Sequence, residues 1–403
     1  MGPRAIRDAN WLNGMRGRGY ARLLALAAII QLAVVVAFSR GGIDASGMLL
    51  GTDFISFWAA GQMAVRGENV YDVAAHIAAQ GRYFARPDGF AAFFYPPVFL
   101  LFCFPLGLVP YFPALLLWLA ATGAAFVLAV RSWFRSLSLD WPMALLVIGF
   151  PPVVITILHG QTSFLVAALL GLGALWVRPH PWRAGVLIGL AVIKPQFGVL
   201  VPLVLIATGE WRVLVSASLA ALAVGVLATL AFGHEVWAAW WHASPLAGQA
   251  LAEGMMGFGK MISPFAAARL VGASPQFAYA LQAGVSLAVA GSLLAVSWRR
   301  RYTRGHAAAL LAAAPLVTPF ALDYDLVLLA FPLAYVAATG FRPWEKSAAA
   351  LVFVVPLFAR PLAHLAPIPI AAPVLLCFYG LLAWRLLVRE PDTGGGEGQA
   401  VTR

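Results

Sequence analysis

Charge is what this sequence has least of. Only 11% of its 403 residues are Asp, Glu, Lys or Arg, and just 16 are acidic. A soluble domain covers its surface with about a quarter charged residues, so a water-exposed globule is excluded. Cysteine is rarer still. Cys103 and Cys377 each sit inside an apolar stretch, which reads as small core residues and leaves no disulfide framework. Also missing are a Gly-rich phosphate loop, a metal-spaced cluster of His and Cys, and a Ser-His-Asp pattern, so no metal or other cofactor is expected. The ten-residue strands of alternating polarity that a membrane barrel needs are absent as well, and no internal repeat stands out.

What is abundant is apolar: 62% of residues are hydrophobic and the mean hydropathy is +0.85. A spanning backbone must satisfy its own hydrogen bonds, so this composition points to an all-α polytopic membrane protein. Apolar segments run at about 21–38, 95–109, 111–130, 142–158, 162–177, 184–207, 213–232, 275–298, 306–320, 324–339, 347–358 and 367–388. They predict a bundle of about 11–13 transmembrane helices forming one domain over residues 1–390, with 391–403 a disordered tail. Several segments are short for a hydrocarbon core of about 30 Å, which implies tilt, local thinning or half-helices. The first run, "LLALAAIIQLAVVVAF", reads as a retained first helix or a signal anchor.

The net charge of +11 does not form a nucleic-acid stripe. Arg4, Arg7, Arg16, Arg18 and Arg22 precede the first apolar run, and Arg299, Arg300, Arg301 and Arg304 follow a later one. Basic residues at the ends of apolar runs are the positive-inside signal. That signal places the N-terminus in the cytoplasm, residues 39–93 outside as a first outer loop, 233–260 outside as a second, and the turn at 318–325 outside too. The interval 94–207 admits two parses. If 184–207 crosses once, "VRPHPWR" falls outside, against the charge rule. If Pro195 splits that segment into a hairpin, those arginines fall inside, and the hairpin is preferred for that reason.

In the first outer loop, Phe54, Phe57, Trp58, Gly61 and Val65 recur at spacings of three and four. The stretch therefore predicts an amphipathic helix lying in the membrane interface and ended by Gly67. "YDVAAHIAAQG" repeats the idea, with Asp72 as N-cap and Gly81 as stop. In the second outer loop, His242 and the tryptophans Trp237, Trp240 and Trp241 suit either stacking on a sugar or an aromatic belt.

Four places carry candidate chemistry. Asp53, or Thr52 beside it, can cap the helix that follows, and Asp53 can equally act as a general base at the membrane surface. Lys194 lies at membrane depth beside a helix-breaking proline, where it reads as a phosphate or carboxylate ligand or as a snorkelling side chain. Asp323 and Asp325, two residues apart, look like a turn and an N-cap rather than a metal clamp. "HGQTSF" at 159–164 is a turn offering a polar contact through Gln161, and Arg360 with His364 are outer-face candidates for a leaving phosphate.

Five stretches, taken in order, resemble one family: "GTDFISFWAAGQMAVRGENVYD", "YPPVFLLFCFPLGLVPYFPALLLW", "GQTSFLVAALLGLGALW", "AGVLIGLAVIKPQFGVLVPLVLIATGEWR" and "TPFALDYDLVLLAFPLA". They are similar to glycosyltransferase family 87, polyprenyl-phosphate-mannose-dependent mannosyltransferase-like membrane enzymes of the GT-C fold class. The resemblance implies a sugar donor carried on a polyprenyl phosphate and an inverting transfer to a hydroxyl of a lipid or glycan acceptor. It also implies an active site on the extracytoplasmic side of a bacterial inner membrane, among membrane lipids. It assigns the catalytic base to Asp53, and Lys194, in the family's "KPQ" stretch, to the donor phosphate. Trp58, Tyr95, Gln161, His242, Asp323, Tyr324 and Asp325 complete the candidate substrate-binding set. The sequence departs from the pattern at "TPFALDYD", where relatives acting on inositol lipids carry histidine. The rival reading is a transporter or flippase of a lipid-linked glycan, with Lys194 and the broken helix forming a midplane site. A purely structural membrane partner is the third.

Overall fold

A computed structural model describes residues 3–83, 91–139 and 144–388, so the expected tail at 391–403 lies outside the described residues. Every regular element among them is a helix, as a backbone deprived of water requires. The first helices are α1 (Pro3–Asp8), α2 (Gly14–Ala37), α3 (Phe54–Val65) and α4 (Val73–Gln80). After them come α5 (Leu100–Gly107), α6 (Tyr111–Ser136), α7 (Ala144–Ile148), α8 (Pro151–His159) and α9 (Ser163–Trp176). The middle of the chain forms α10 (Pro181–Leu190), α11 (Leu200–Ala207), α12 (Trp211–Phe232), α13 (Glu235–Glu253) and α14 (Pro264–Leu270). The rest forms α15 (Pro275–Ser297), α16 (Arg304–Ala313), α17 (Ala330–Ala338), α18 (Glu345–Leu365) and α19 (Ala371–Leu387).

Five of these, α2, α6, α12, α15 and α18, are long and apolar enough to cross a membrane. Six shorter apolar helical stretches accompany them, and the all-α polytopic class stands. The short ones place the site. The stretch 181–193 rises about 20 Å at 1.5 Å per residue, less than the roughly 30 Å of a hydrocarbon core, so its tip at Lys194 ends inside the protein. Proline at 195 forces that tip: Lys194 is extended, with φ −134° and ψ 71°, as a residue before proline prefers. The chain then doubles back, because Arg178 before α10 pairs with Glu210 after α11 at 3.0 Å. The structure thus takes the hairpin parse. The segment 304–338 is broken in the same way, with a non-helical link between Leu316 and Asp323.

The two ends of the bundle differ in charge. At one end the Arg299 amide donates to Ala207, the Arg300 guanidinium to Leu386, and the Trp344 amide to Arg7. The N-terminal arginines and those after α15 therefore share an end. The opposite end holds Asp53, His159, Asp323 and Arg360.

The first outer loop departs from expectation. α3, read as an interfacial amphipathic helix, is buried along most of its length, from Phe54 to Gly61 and again at Met63. Its supposed polar face is made of small residues, which let another helix approach: a Cβ on Gly61 would overlap the backbone of Cys103, and one on Gly107 would overlap Gly61. Phe54, Phe57, Phe99 and Trp118 pack about it at centroid distances of 5.1–6.5 Å. Such pairs contribute about 0.5–1.5 kcal/mol each beyond their burial. Gly67 does follow its end, at φ +69°. Asp72 caps α4 by accepting from the Ala75 amide at 3.0 Å, and Gly81 closes it. The second outer loop is largely helical, as α13.

Candidate active site

Three breaks in the helices meet at the end opposite the arginines: the turn at 160–162 between α8 and α9, Lys194 between α10 and α11, and the Asp323–Asp325 turn before α17. The turn before α3 joins them. Two backbone bonds fasten it to the end of α8, from the Gly51 amide to Leu158 at 3.1 Å and from the Asp53 amide to His159 at 3.0 Å. Gly160 makes this possible. It adopts φ +64°, and a Cβ there would stand 2.6 Å from the Cβ of Phe54.

Asp53 occupies the N-cap position of α3, yet its side chain makes no capping bond. Instead Oδ2 accepts from Gln161 Nε2 at 2.7 Å. Oδ1 has no hydrogen bond among the described residues, and stands 3.7 Å from His159 Nδ1. The side chain is 30% exposed. Burial works to raise its pKa, but His159, Gln161 and the charge of Lys260 outweigh that and hold the carboxyl below its ordinary value. Thr52 does not cap either, since its hydroxyl lies 2.7 Å from His159 Nδ1.

Gln161 is the hub beneath the base. Its Nε2 also donates to the Tyr324 hydroxyl at 3.1 Å, and its Oε1 accepts from Tyr95 at 3.1 Å and from the Thr162 amide at 3.1 Å. With every polar atom engaged, the amide is fixed in one orientation. Asp325 is buried behind it, its Oδ1 accepting from Ser163 and from Lys194, each at 2.7 Å, and its Oδ2 from the Leu322 amide at 3.2 Å. The last bond is the expected capping contact. The ion pair was not foreseen: Lys194 neither snorkels nor stands free for a ligand. It is 6% exposed, its Nζ lies 5.2 Å from the Tyr324 ring centroid, and its charge is already balanced. Asp323 is likewise bound, bidentately, by Arg360. Each aspartate of the pair thus has its own cation, and no cluster of three or more candidate metal ligands occurs among the described residues.

Arg360 is the cation facing the base. Its side chain is 26% exposed, and its Nη2 lies 3.4 Å from His159 Nε2. The other expected site residues are less central. Trp58 is buried away from the carboxylate and spends its indole N–H on the Val109 carbonyl at 2.9 Å. His242 is exposed on α13, and His364 is exposed in the last turn of α18. Sequence reasoning missed His159, Ser163 and Lys260. The available signal for His159 was the "HG" pair itself, a helix end followed by a residue able to turn left-handed.

A partly exposed carboxylate with one uncommitted oxygen can accept a proton, and a nearby guanidinium can stabilise developing negative charge. Comparison with curated proteins and with solved structures finds no match. Comparison with protein families does: the chain matches glycosyltransferase family 87 over residues 93–332. That span takes in Tyr95, His159, Gln161, Lys194, Lys260 and the Asp323–Asp325 turn, with Asp53 and Arg360 flanking it. The match covers more than half of the sequence, and the chain belongs to glycosyltransferase family 87.

Proposed function

We propose that this glycosyltransferase moves a sugar from a polyprenyl-phosphate donor to a hydroxyl of a lipid or glycan acceptor, with inversion, and that Asp53 is the general base. Mannose is the sugar that the family resemblance implies. The observation that carries the reading is the state of Asp53: ionised, partly exposed, held by Gln161 through one oxygen and free at the other.

An alcohol is a weak nucleophile until a positioned base takes its proton as the new bond forms, an effect of about two to four orders of magnitude. Asp53 Oδ1 takes that proton, the acceptor oxygen attacks the anomeric carbon, and the bond to the donor phosphate breaks on the opposite face. One displacement needs one carboxylate, unlike a retaining hydrolase, which needs two about 5 Å apart. The departing phosphate gains charge, and Arg360, with Lys260 on the loop above, faces it. Lys194 is committed to Asp325, so it serves this arrangement by holding the Tyr324 turn. The positive-inside rule, applied to the arginine-rich end, sets the site on the extracytoplasmic face, of the inner membrane if the host is bacterial.

The test is incubation of purified protein in lipid with labelled polyprenyl-phosphate-mannose, and with a panel of other prenyl-phosphate sugars, plus a total lipid extract. Transfer of label that disappears in Asp53→Asn supports the reading. Transfer by Asp53→Asn at the wild-type rate removes Asp53 from the chemistry, and no transfer from any donor favours a transporter.

A further inference from the structure

The imidazole of His159 stands between the two groups that the reaction needs charged. Its Nε2 lies 3.4 Å from Arg360 Nη2, and its Nδ1 lies 2.7 Å from Thr52 Oγ1 and 3.7 Å from Asp53 Oδ1. A guanidinium only donates, so Nε2 must present its lone pair and Nδ1 must carry the proton. The ring is therefore neutral, with its tautomer set by Arg360 on one side and by Thr52 on the other. Its backbone is equally constrained, because its carbonyl accepts from the Asp53 amide and Gly160 follows at φ +64°. The Tyr324 ring closes a third side, at a centroid distance of 5.9 Å.

A guanidinium and a carboxylate that can reach each other pair bidentately, and a base so paired has lost the lone pair it needs. Arg360 and Asp53 already interact through space. Two contacts hold them apart: Asp323 anchors Arg360 from behind, and His159 fills the gap in front. We propose that His159 is a positioning residue of this site, a neutral spacer that keeps Arg360 turned toward the donor phosphate and off the Asp53 carboxylate. The inference rests on the reading of Asp53 as the base. The other groups facing Asp53 are Gln161 and Lys260, together with the hydroxyls of Tyr95, Tyr111 and Tyr324, and none of them lies between it and Arg360 by any contact described.

Three replacements separate a spacer from a simple hydrogen-bond donor. His159→Ala opens the gap. His159→Gln refills it and presents an amide oxygen toward Arg360, whereas His159→Asn keeps a donor near the Nδ1 position but falls short of Arg360. Two quantities are read in lipid: the infrared carboxyl band that Asp53→Asn abolishes, titrated with pH, and kcat and KM with polyprenyl-phosphate-mannose. With His159→Ala the Asp53 midpoint should fall, because a full guanidinium charge replaces a neutral ring beside the carboxylate. Its kcat should drop about tenfold or more while KM for the donor stays within about threefold. His159→Gln should restore both and His159→Asn neither.

An unchanged midpoint and kcat in His159→Ala would overturn the spacer, as would a raised midpoint rescued by Asn. If His159→Ala fails to fold, the contrast between Gln and Asn still decides the matter. The controls keep two failures apart: an active Asp53→Asn sinks the base itself, whereas an inactive Asp53→Asn beside a wild-type-like His159→Ala sinks only the spacer.

Discussion

Asp53 and Asp325 lie on either side of Gln161 and Tyr324, and they could hardly be treated more differently. The Asp325 side chain is 3% exposed and accepts from a lysine, a serine and a backbone amide. The Asp53 side chain is 30% exposed and accepts one hydrogen bond, from Gln161. A carboxylate saturated with donors is a structural anion, because every lone pair is committed and no proton can be taken up cheaply. One that is ionised yet only half satisfied is available for chemistry. The difference lies in the elements that hold them: Asp325 sits at the convergence of three broken helices, whereas Asp53 hangs from a turn at the mouth.

The strongest way to break this contrast is to remove the base. Asp53→Asn keeps the shape and the bond to Gln161 by an amide flip, so the fold should survive while kcat falls by about two to four orders of magnitude. Transfer assays beside thermal unfolding in the same lipid check both halves. The pH profile sharpens the point. The folded pKa of Asp53 lies below its ordinary 3.8, so its acid limb should appear only below that value. The stability it contributes is likewise present above 3.8 and lost as pH falls through the folded pKa. An acid limb near neutrality would show that some other group is the base.

Asp325 should behave in the opposite sense, with loss of structure coming first. Asp325→Ala leaves Lys194 buried with an uncompensated charge, which costs about 3–5 kcal/mol. Replacing both partners, Lys194→Met with Asp325→Leu, removes the charge and the need for its partner together, and should recover most of that stability. Unfolding midpoints in detergent report the result; a double variant as unstable as the single one would mean that the pair holds the fold through geometry rather than charge balance.

How much of this was readable beforehand follows the same division. Class and segment positions came from hydropathy, because a bilayer imposes a length and a polarity on each run. Asp53 stood out because a carboxylate at the rim of an apolar segment is rare and expensive. The partners were illegible. Nothing local in "GLAVIKPQF" tells Lys194 that its counter-ion is Asp325, 131 residues on. α3 misled for a related reason: small residues on its far side look polar by composition, but serve as a seat for α5, and only the partner helix discloses that. His159 was overlooked because its role is defined by two side chains from other elements, Thr52 and Arg360.

A smaller effect is expected where the two carboxylates are joined through the backbone. Gly160→Ala should cost about 1–3 kcal/mol, since φ +64° is a strained conformation for alanine and the new Cβ would press on Phe54. The strain falls on the hinge between the Asp53 turn and the end of α8. Transfer should therefore decline along with stability, and the Asp53 carboxyl band should broaden as its bond to Gln161 loosens.

The smallest effect tests whether Gln161 divides its attention. Its Nε2 donates both to Asp53 Oδ2 at 2.7 Å and to the Tyr324 hydroxyl at 3.1 Å. Tyr324→Phe removes the longer bond and keeps the ring over Lys194. Loss of one neutral hydrogen bond is worth about 0.5–1.5 kcal/mol of stability. Gln161 loses an alternative partner and Asp53 keeps its own, so kcat should stay within about threefold, the size of change that a fraction of a kcal/mol produces. A collapse of activity on the scale of Asp53→Asn would instead mean that the Tyr324 hydroxyl touches substrate, and the line drawn between a reactive mouth and a structural floor would have to move inward by one side chain.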